Sequence, residues 1–210
     1  MAKYIGEKKS GKVGDKIYSS WNGRPYERQM PKSVANPRTE AQQAHRNAFA
    51  EISRLSSAMK EGHEEGLHWH AVRQKLKTYN VFRKLNKDCY GPDGIDYPRI
   101  KISKGSVAGV NITVANIDEG GNLHVEFHDQ CPTEKNMHDR FFLFVFCPDQ
   151  HEGHFVRPVE RTVGMVDAQI PESWQGHTLH LYAFMKDAKG KTSDTMYVRL
   201  SRVGAEAEER

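Results

Sequence analysis

The hydrophobic pattern of the second half of the chain constrains the fold most. From Tyr97 onward apolar and polar residues alternate with a period of two, which is typical of strands. Turn signals such as Glu119-Gly-Gly121 and Asp187–Gly190 separate the runs. The pattern predicts eight short strands: Arg99–Ile102, Asn111–Val114, Asn122–His128, Arg140–Pro148, His154–Val159, Thr162–Gln169, Thr178–Lys186 and Thr195–Ser201. We therefore expect an immunoglobulin/fibronectin-III-like β-sandwich over residues 97–203.

The strand around Leu181 differs from its neighbours, because both of its alternating sets are largely apolar. Leu179, Leu181, Ala183 and Met185 alternate with His180, Tyr182, Phe184 and Lys186. A strand with two such sets is expected to be covered on both faces.

Residues 1–38 read as an extended arm. Glycines and prolines recur too often for a helix, and Asn22-Gly23 is a strong hairpin signal between Lys16–Trp21 and Arg24–Arg28. A single hairpin is marginally stable in water. The arm is therefore expected to lie on another part of this chain or on a partner.

Residues 39–90 are predicted to form a basic helical hairpin. Pro37 disfavours helix at the residue before it, and Thr39 with Gln42 has the spacing of a capping box. The first helix is expected to run to about Lys60, and the second from His70 to about Lys87. The fold class is thus α+β: an N-terminal β-hairpin arm, an αα-hairpin, the sandwich, and a charged tail over residues 204–210.

Charge is distributed unevenly along the chain. Residues 1–90 carry 18 Lys and Arg against 9 Asp and Glu, whereas residues 91–210 carry 13 against 18. A basic front half favours a negatively charged partner: nucleic acid, an acidic protein face, or the acidic half of a neighbouring copy.

The sequence contains neither a membrane-spanning run nor the apolar stretch of a secretory signal near Met1–Gly14. We expect a cytoplasmic protein, with a virion or an assembled particle as the alternative location.

No pattern in the chain predicts catalysis, a cofactor or a metal. Gly11-Lys-Val-Gly14 lacks the phosphate-loop pattern, and Cys89, Cys131 and Cys147 form no CxxC pair. Two histidine sets, one with His63, His68 and His70 and one with His124 and His128 beside Glu126 and Cys131, have no zinc-motif spacing. A Cys147–His151 or Cys147–His154 dyad is conceivable, but neighbours in sequence rarely form one. We expect a protein that is not an enzyme.

Aromatic and cationic residues interleave in the arm and are the strongest functional signal. The predicted partner-binding residues are Trp21, Arg24, Tyr26, Arg28, Lys32 and Arg38. Such residues anchor protein interfaces, and they also suit nucleic-acid backbones and stacked bases. A third interpretation is that the rings pack on the chain's own helices.

Several segments resemble an uncharacterised domain-of-unknown-function family widespread in Bacteroidota. The most specific is Asn36-Pro-Arg-Thr-Glu-Ala-Gln42 (NPRT-x-x-Q). The other matching segments occur along the chain in the family's order; they are Ser20–Gly23, Tyr79–Phe82, Asn86 and Ser103-Lys-Gly105. The resemblance covers nearly the whole chain. It implies an arm-and-helix unit joined to a sandwich, and it implies no activity.

These observations predict a non-enzymatic structural or interaction protein. Its basic arm and helices would dock into a larger or self-assembled complex, with a homo-oligomer expected and a phage-derived or virion-like role as one form of this hypothesis. The alternative is a nucleic-acid-binding protein that uses the basic N-terminal half.

Overall fold

A computed structural model describes residues 3–5, 8–21, 23–33, 38–91, 93–118, 120–129 and 135–200. The chain divides into two compact units, residues 1–43 and residues 44–210. Some sequence predictions concern residues outside the described part: Asn22 of the turn, Asn36 and Pro37 of the NPRT segment, Cys131 of the histidine set, and the charged tail.

The first unit contains a four-stranded antiparallel sheet. Its strands are β1 (Lys3–Ile5), β2 (Lys8–Val13), β3 (Lys16–Trp21) and β4 (Arg24–Gln29), in the spatial order of the sequence. Gly14 and Gly23, in the turns before β3 and before β4, have φ values of 60° and 79°, which favour glycine. The arm is thus a meander that contains the hairpin between Trp21 and Arg24.

The described residues form four α-helices where two were predicted. They are α1 (Glu40–Ala58), α2 (Lys60–Gly66), α3 (His68–Gln74) and α4 (Thr78–Leu85). Thr39 Oγ1 accepts the Gln42 N–H at 3.3 Å, as the capping spacing predicts. The second predicted helix is divided because Lys75 adopts a left-handed conformation with φ of 54°.

Gly62 does not end a helix, although glycine often does. It lies inside α2, and a Cβ at this position would be 3.2 Å from the Phe144 ring. The glycine therefore allows the helix to approach the sheet closely.

The β-half of the second unit is antiparallel throughout. Its strands are β5 (Tyr90–Gly91), β6 (Gly94–Ile95), β7 (Asn111–Ile117), β8 (Asn122–His128), β9 (Arg140–Cys147), β10 (Glu152–Glu160), β11 (Met165–Gln169), β12 (Leu179–Lys186) and β13 (Met196–Leu200). They form a four-stranded sheet in the order β10-β9-β12-β13, a three-stranded sheet in the order β11-β8-β7, and the short pair β5-β6.

Two predicted strands differ from the structure. The segment predicted as strand Arg99–Ile102 is not a strand: a 3-10 turn over Tyr97–Arg99 takes its place, with Pro98 fixing the backbone at the start of that turn. The segment predicted as Thr162–Gln169 is a strand only from Met165, after a 3-10 turn that ends at Gly164 with φ of 75°.

Two hydrophobic cores cover opposite faces of the four-stranded sheet. The first lies between the two sheets and includes Leu143, Leu181 and Val125. The second lies between the sheet and the helices. It joins Ile52, Leu55, Met59, Leu67, Ala71, Val81 and Phe82 to Phe144, Phe146, Tyr182 and Phe184. The prediction that β12 is covered on both faces is confirmed, since seven of its eight residues are buried.

A buried polar cluster joins the helices to two loops of the β-half. Thr192 Oγ1 donates to the carbonyl of Gly66 at 3.0 Å, and Thr195 Oγ1 accepts the N–H groups of Ile102 and Ser103 at 3.0 and 2.8 Å. A Cβ on Gly105 would lie 1.9 Å from the Thr192 carbonyl oxygen. The Ser103-Lys-Gly105 motif is therefore explained by close backbone packing.

Asn86 and Arg161 are buried polar residues with structural partners. The Asn86 side chain donates to the carbonyl of Lys101 at 3.0 Å and accepts its N–H at 2.8 Å. The Arg161 guanidinium is 3.0 Å from a carboxylate oxygen of Asp129 and 3.5 Å from one of Asp139.

Within the described ranges, no helix is both long and apolar enough to span a membrane.

Candidate interaction surface

The register of β3 and β4 places four of the six predicted partner-binding residues on one face. Trp21 pairs with Arg24, and Ser19 pairs with Tyr26. Ile17 pairs with Arg28 and also with Lys12 of β2. Because alternate residues of a strand share a face, these side chains lie on the same side of the sheet. We call this surface the basic aromatic face; it consists of Lys12, Ile17, Ser19, Trp21, Arg24, Tyr26 and Arg28.

The rings of this face are open to solvent. Trp21 is 73% exposed and Tyr26 is 46% exposed. Neither ring belongs to one of the two cores. Tryptophan is highly buried on average in folded proteins and often anchors interfaces. An indole that is this exposed therefore favours an interaction surface.

The two faces of the sheet differ in charge. Glu27 is the only carboxylate in β2, β3 and β4, and it lies on the opposite face, 3.1 Å from Lys16 Nζ. The hydrogen bond to Glu27 raises the pKa of Lys16. In the described part of the chain, neither Arg24 nor Arg28 forms an ion pair. Within the described strands β2–β4, the basic aromatic face therefore carries three cations and no carboxylate.

The other two predicted residues lie outside the strands. Lys32 and Arg38 are exposed, and both follow the end of β4. The Arg38 carbonyl accepts a hydrogen bond from the Gln43 side chain at 3.1 Å, close to the start of α1. The strand register does not bring these two side chains to the basic aromatic face.

One histidine of each set, His63 and His124, has partners other than a metal. His63 is buried, its Nε2 lies 2.9 Å from the Ser56 carbonyl oxygen, and burial lowers its pKa. His124 Nδ1 lies 2.5 Å from a carboxylate oxygen of Asp167, and its Nε2 lies 3.1 Å from one of Glu126. Hydrogen bonds to these carboxylates raise the pKa of His124. Among the residues that the structure describes, no group of three His, Cys, Asp or Glu side chains has a geometry suited to a metal.

Cys147 lacks the surroundings of a nucleophile. Cys147 is fully buried in β9, and burial raises the pKa of its thiol. His151 Nδ1 lies 3.0 Å from the Pro148 carbonyl, and His154 stacks on Trp174 with ring centroids 5.1 Å apart. Both histidines thus have contacts other than the Cys147 thiol.

Sequence reasoning missed a buried histidine on the helix-facing side of β12. The Tyr197 hydroxyl is hydrogen-bonded to His180 Nδ1 at 2.7 Å, and the Tyr97 ring stacks on the imidazole with ring centroids 4.3 Å apart. Burial lowers the pKa of His180 to about 4 and raises that of Tyr197 to about 12. The alternation along β12 marked both sets as covered, but nothing in the sequence indicated which aromatic residues surround the histidine.

Comparison with known proteins places the chain in a family without assigning an activity. No curated protein matches it. A family model described as a family of unknown function (DUF6266) matches residues 8–199, which include β2–β4, all four helices and the paired sheets. This match agrees with the predicted resemblance to an uncharacterised family. The chain therefore belongs to the DUF6266 family of unknown function.

Proposed function

We propose that this chain is a non-enzymatic interaction protein that docks through its basic N-terminal half into a larger or self-assembled complex. The observation that carries the proposal is the basic aromatic face, where Trp21 is 73% exposed beside Arg24 and Arg28, which form no ion pair with any residue that the structure describes. A phage-derived or virion-like particle is one setting in which such an exposed arm would be used.

The energetics of the face support docking. Full burial of a large apolar side chain contributes about 1.5–3 kcal/mol relative to exposure. Trp, Tyr and Arg are also the residue types that most often dominate interface energies. An acidic partner would add charge complementarity with Lys12, Arg24 and Arg28 and would speed association.

We also propose that the β-half is an immunoglobulin/fibronectin-III-like sandwich. Its strand orders, β11-β8-β7 and β10-β9-β12-β13, support this class, as does the apolar core between the two sheets. Domains of this architecture serve many unrelated functions, so the class alone indicates no activity.

Nucleic acid is the second candidate partner. Rings and cations share the basic aromatic face, and β2–β4 place no carboxylate there. Exposed rings could stack on bases while the cations contact phosphates. This alternative predicts that the protein retards single-stranded DNA or RNA in a native gel at low salt. The affinity should then fall steeply as the salt concentration rises.

The main test compares variants of opposite faces. Light scattering coupled to size-exclusion chromatography would measure the mass of the full chain, of Trp21→Ser/Arg28→Gln, and of Lys16→Gln. We expect the full chain to associate, the double variant to associate more weakly, and Lys16→Gln to associate as the full chain does, because Lys16 lies on the other face. A clean monomer both for the full chain and for a chain lacking residues 1–35 would rule against the proposal.

A further inference from the structure

The exposed large apolar residues described in the second unit fall into two groups. The first lies on the helices and the segments between them, and comprises Phe49, Val72, Leu76 and Tyr79; the second lies in the β-half and comprises Met137, Val163 and Met165. Exposed apolar side chains that cluster, unlike scattered ones, indicate an interaction surface.

The first group lies in a strongly basic environment. Residues 66–87 contain six Lys and Arg and no Asp or Glu. The guanidinium of Arg83 lies over the Tyr79 ring at 5.0 Å and over the Phe49 ring at 5.4 Å. Val72 is 58% exposed, and the exposed Arg73, Lys75 and Lys77 are close to it in sequence. We call Val72, Leu76, Tyr79, Arg73, Lys75 and Lys77 the basic apolar patch.

Part of the second group lies beside carboxylates. Met165 of β11 pairs with Glu126 of β8, and Asp167 lies two residues further along the same face. Val163, in the turn before β11, is 51% exposed. His124 contacts both carboxylates, so this set carries a charge of −1 or −2 depending on the imidazole. We call Val163, Met165, Glu126 and Asp167 the acidic apolar patch.

The two patches lie on opposite sides of the second unit. The helices cover one face of the four-stranded sheet, and the three-stranded sheet covers the other. Val166 faces the core between the sheets, so its neighbours Met165 and Asp167 face outward from the three-stranded sheet. A contact between the two patches must therefore join two molecules.

We propose that the basic apolar patch of one molecule docks onto the acidic apolar patch of a second copy. This proposal rests on the proposed function, since it specifies how the chain would assemble with itself. The contact is head-to-tail, and repetition of it generates an open chain or a ring. Few apolar anchors are present on each side, so the contact should be weak, with a dissociation constant of about a micromolar or higher.

Charge and apolar complementarity together favour a second copy. A phosphate backbone would pair with Lys75 and Lys77, but it offers no surface to the exposed aliphatic side chains of Val72 and Leu76. The acidic apolar patch offers both carboxylates and exposed apolar side chains. Binding of nucleic acid or of anionic vesicles to the same helices is the competing outcome.

The decisive experiment mixes two variants that are each damaged on one patch. Leu76→Ser/Lys77→Glu disables the basic apolar patch, and Met165→Ser/Asp167→Lys disables the acidic one. Lys101→Glu is a matched charge reversal outside both patches. All three are made in a Trp21→Ser background, which removes the indole of the arm, and the urea midpoint of each variant verifies folding.

Sedimentation velocity should show association that grows with concentration for the Trp21→Ser and Lys101→Glu proteins. Each patch variant alone should associate at least tenfold more weakly. Their equimolar mixture should form a 1:1 dimer that grows no further, because only one intact pair of patches remains.

The other outcomes separate the two proposals. One outcome is that the patch variants, made without the Trp21→Ser change, assemble as the unaltered chain does, whereas Trp21→Ser abolishes assembly. In that case the head-to-tail contact is wrong and docking through the arm stands. If Trp21→Ser has no effect while the patch variants follow the pattern above, the arm proposal fails and the contact stands. A mixture that stays monomeric overturns the contact. The contact is also overturned if the protein retains single-stranded DNA or phosphatidylserine vesicles but does not associate with itself.

Discussion

Acidification should destabilise the protein through His180. The folded-state pKa is lowered to about 4, mainly because burial penalises the charged imidazole, whereas an unperturbed histidine has a pKa of 6.5. Between these two values the unfolded chain binds the proton more readily than the folded one. The stabilisation is therefore complete above about pH 6.5 and is lost as pH falls toward about 4.

The magnitude follows from the two pKa values. A shift of about 2.5 pKa units corresponds to about 3 kcal/mol over the whole window, of which about 2 kcal/mol falls between pH 7 and pH 5. His180 is only 6% exposed, so solvent screening reduces this little. Burial also lowers the pKa of His63, so protonation of His63 likewise reduces the free energy of unfolding as pH falls. The loss of stability measured for the wild type therefore contains both contributions.

The assay is urea unfolding of the wild type and of His180→Gln at about pH 7 and about pH 5, followed by tryptophan fluorescence. We expect the variant to be less stable at about pH 7, and to lose about 2 kcal/mol less than the wild type on acidification. His63→Gln serves as the matched control for the second buried histidine. Parallel losses in the wild type and in His180→Gln would refute the reasoning, because the titration would then reside elsewhere.

Three substitutions test the buried contacts by chemical denaturation. Gly66→Ala should destabilise by about 2 kcal/mol or more, because its Cβ would lie 2.3 Å from the Ile102 carbonyl oxygen, whereas Gly91→Ala has nothing within 4 Å and should be nearly neutral. Asn86→Ala should cost about 2–3 kcal/mol, since it removes the hydrogen bonds that the buried Asn86 side chain makes with the Lys101 backbone, and a change below about 0.5 kcal/mol would contradict this role. Arg161→Met should cost about 3–5 kcal/mol, and an equally stable variant would show that the buried ion pairs are dispensable.

The arm and helices show what local patterns can and cannot predict. The Asn22-Gly23 signal predicted where β3 turns into β4, and the capping spacing predicted the start of α1, because both depend on a few neighbouring residues. The break between α3 and α4 could not be predicted, since lysine at Lys75 carries no turn signal. The left-handed Lys75 ends α3 locally, where the N–H groups of Lys75 and Leu76 donate to the carbonyls of Val72 and Ala71.

The candidate surface was predictable in part for the same reason. The alternation of rings and cations identified Trp21, Arg24, Tyr26 and Arg28, and strand pairing then placed them on one face. The basic and acidic apolar patches could not be recognised from sequence, because Met165 and Glu126 become neighbours only through the pairing of β11 with β8. Exposure of apolar residues is likewise a property of the folded chain.

The position of β12 has a consequence for how the protein is synthesised. Its odd-numbered residues complete the core between the sheets, and Tyr182 and Phe184 complete the core under the helices. The helices leave the ribosome roughly a hundred residues before this strand does, so their apolar faces lack their final partner during translation. Nascent chains shorter than about 186 residues should consequently depend on chaperones and be prone to aggregation.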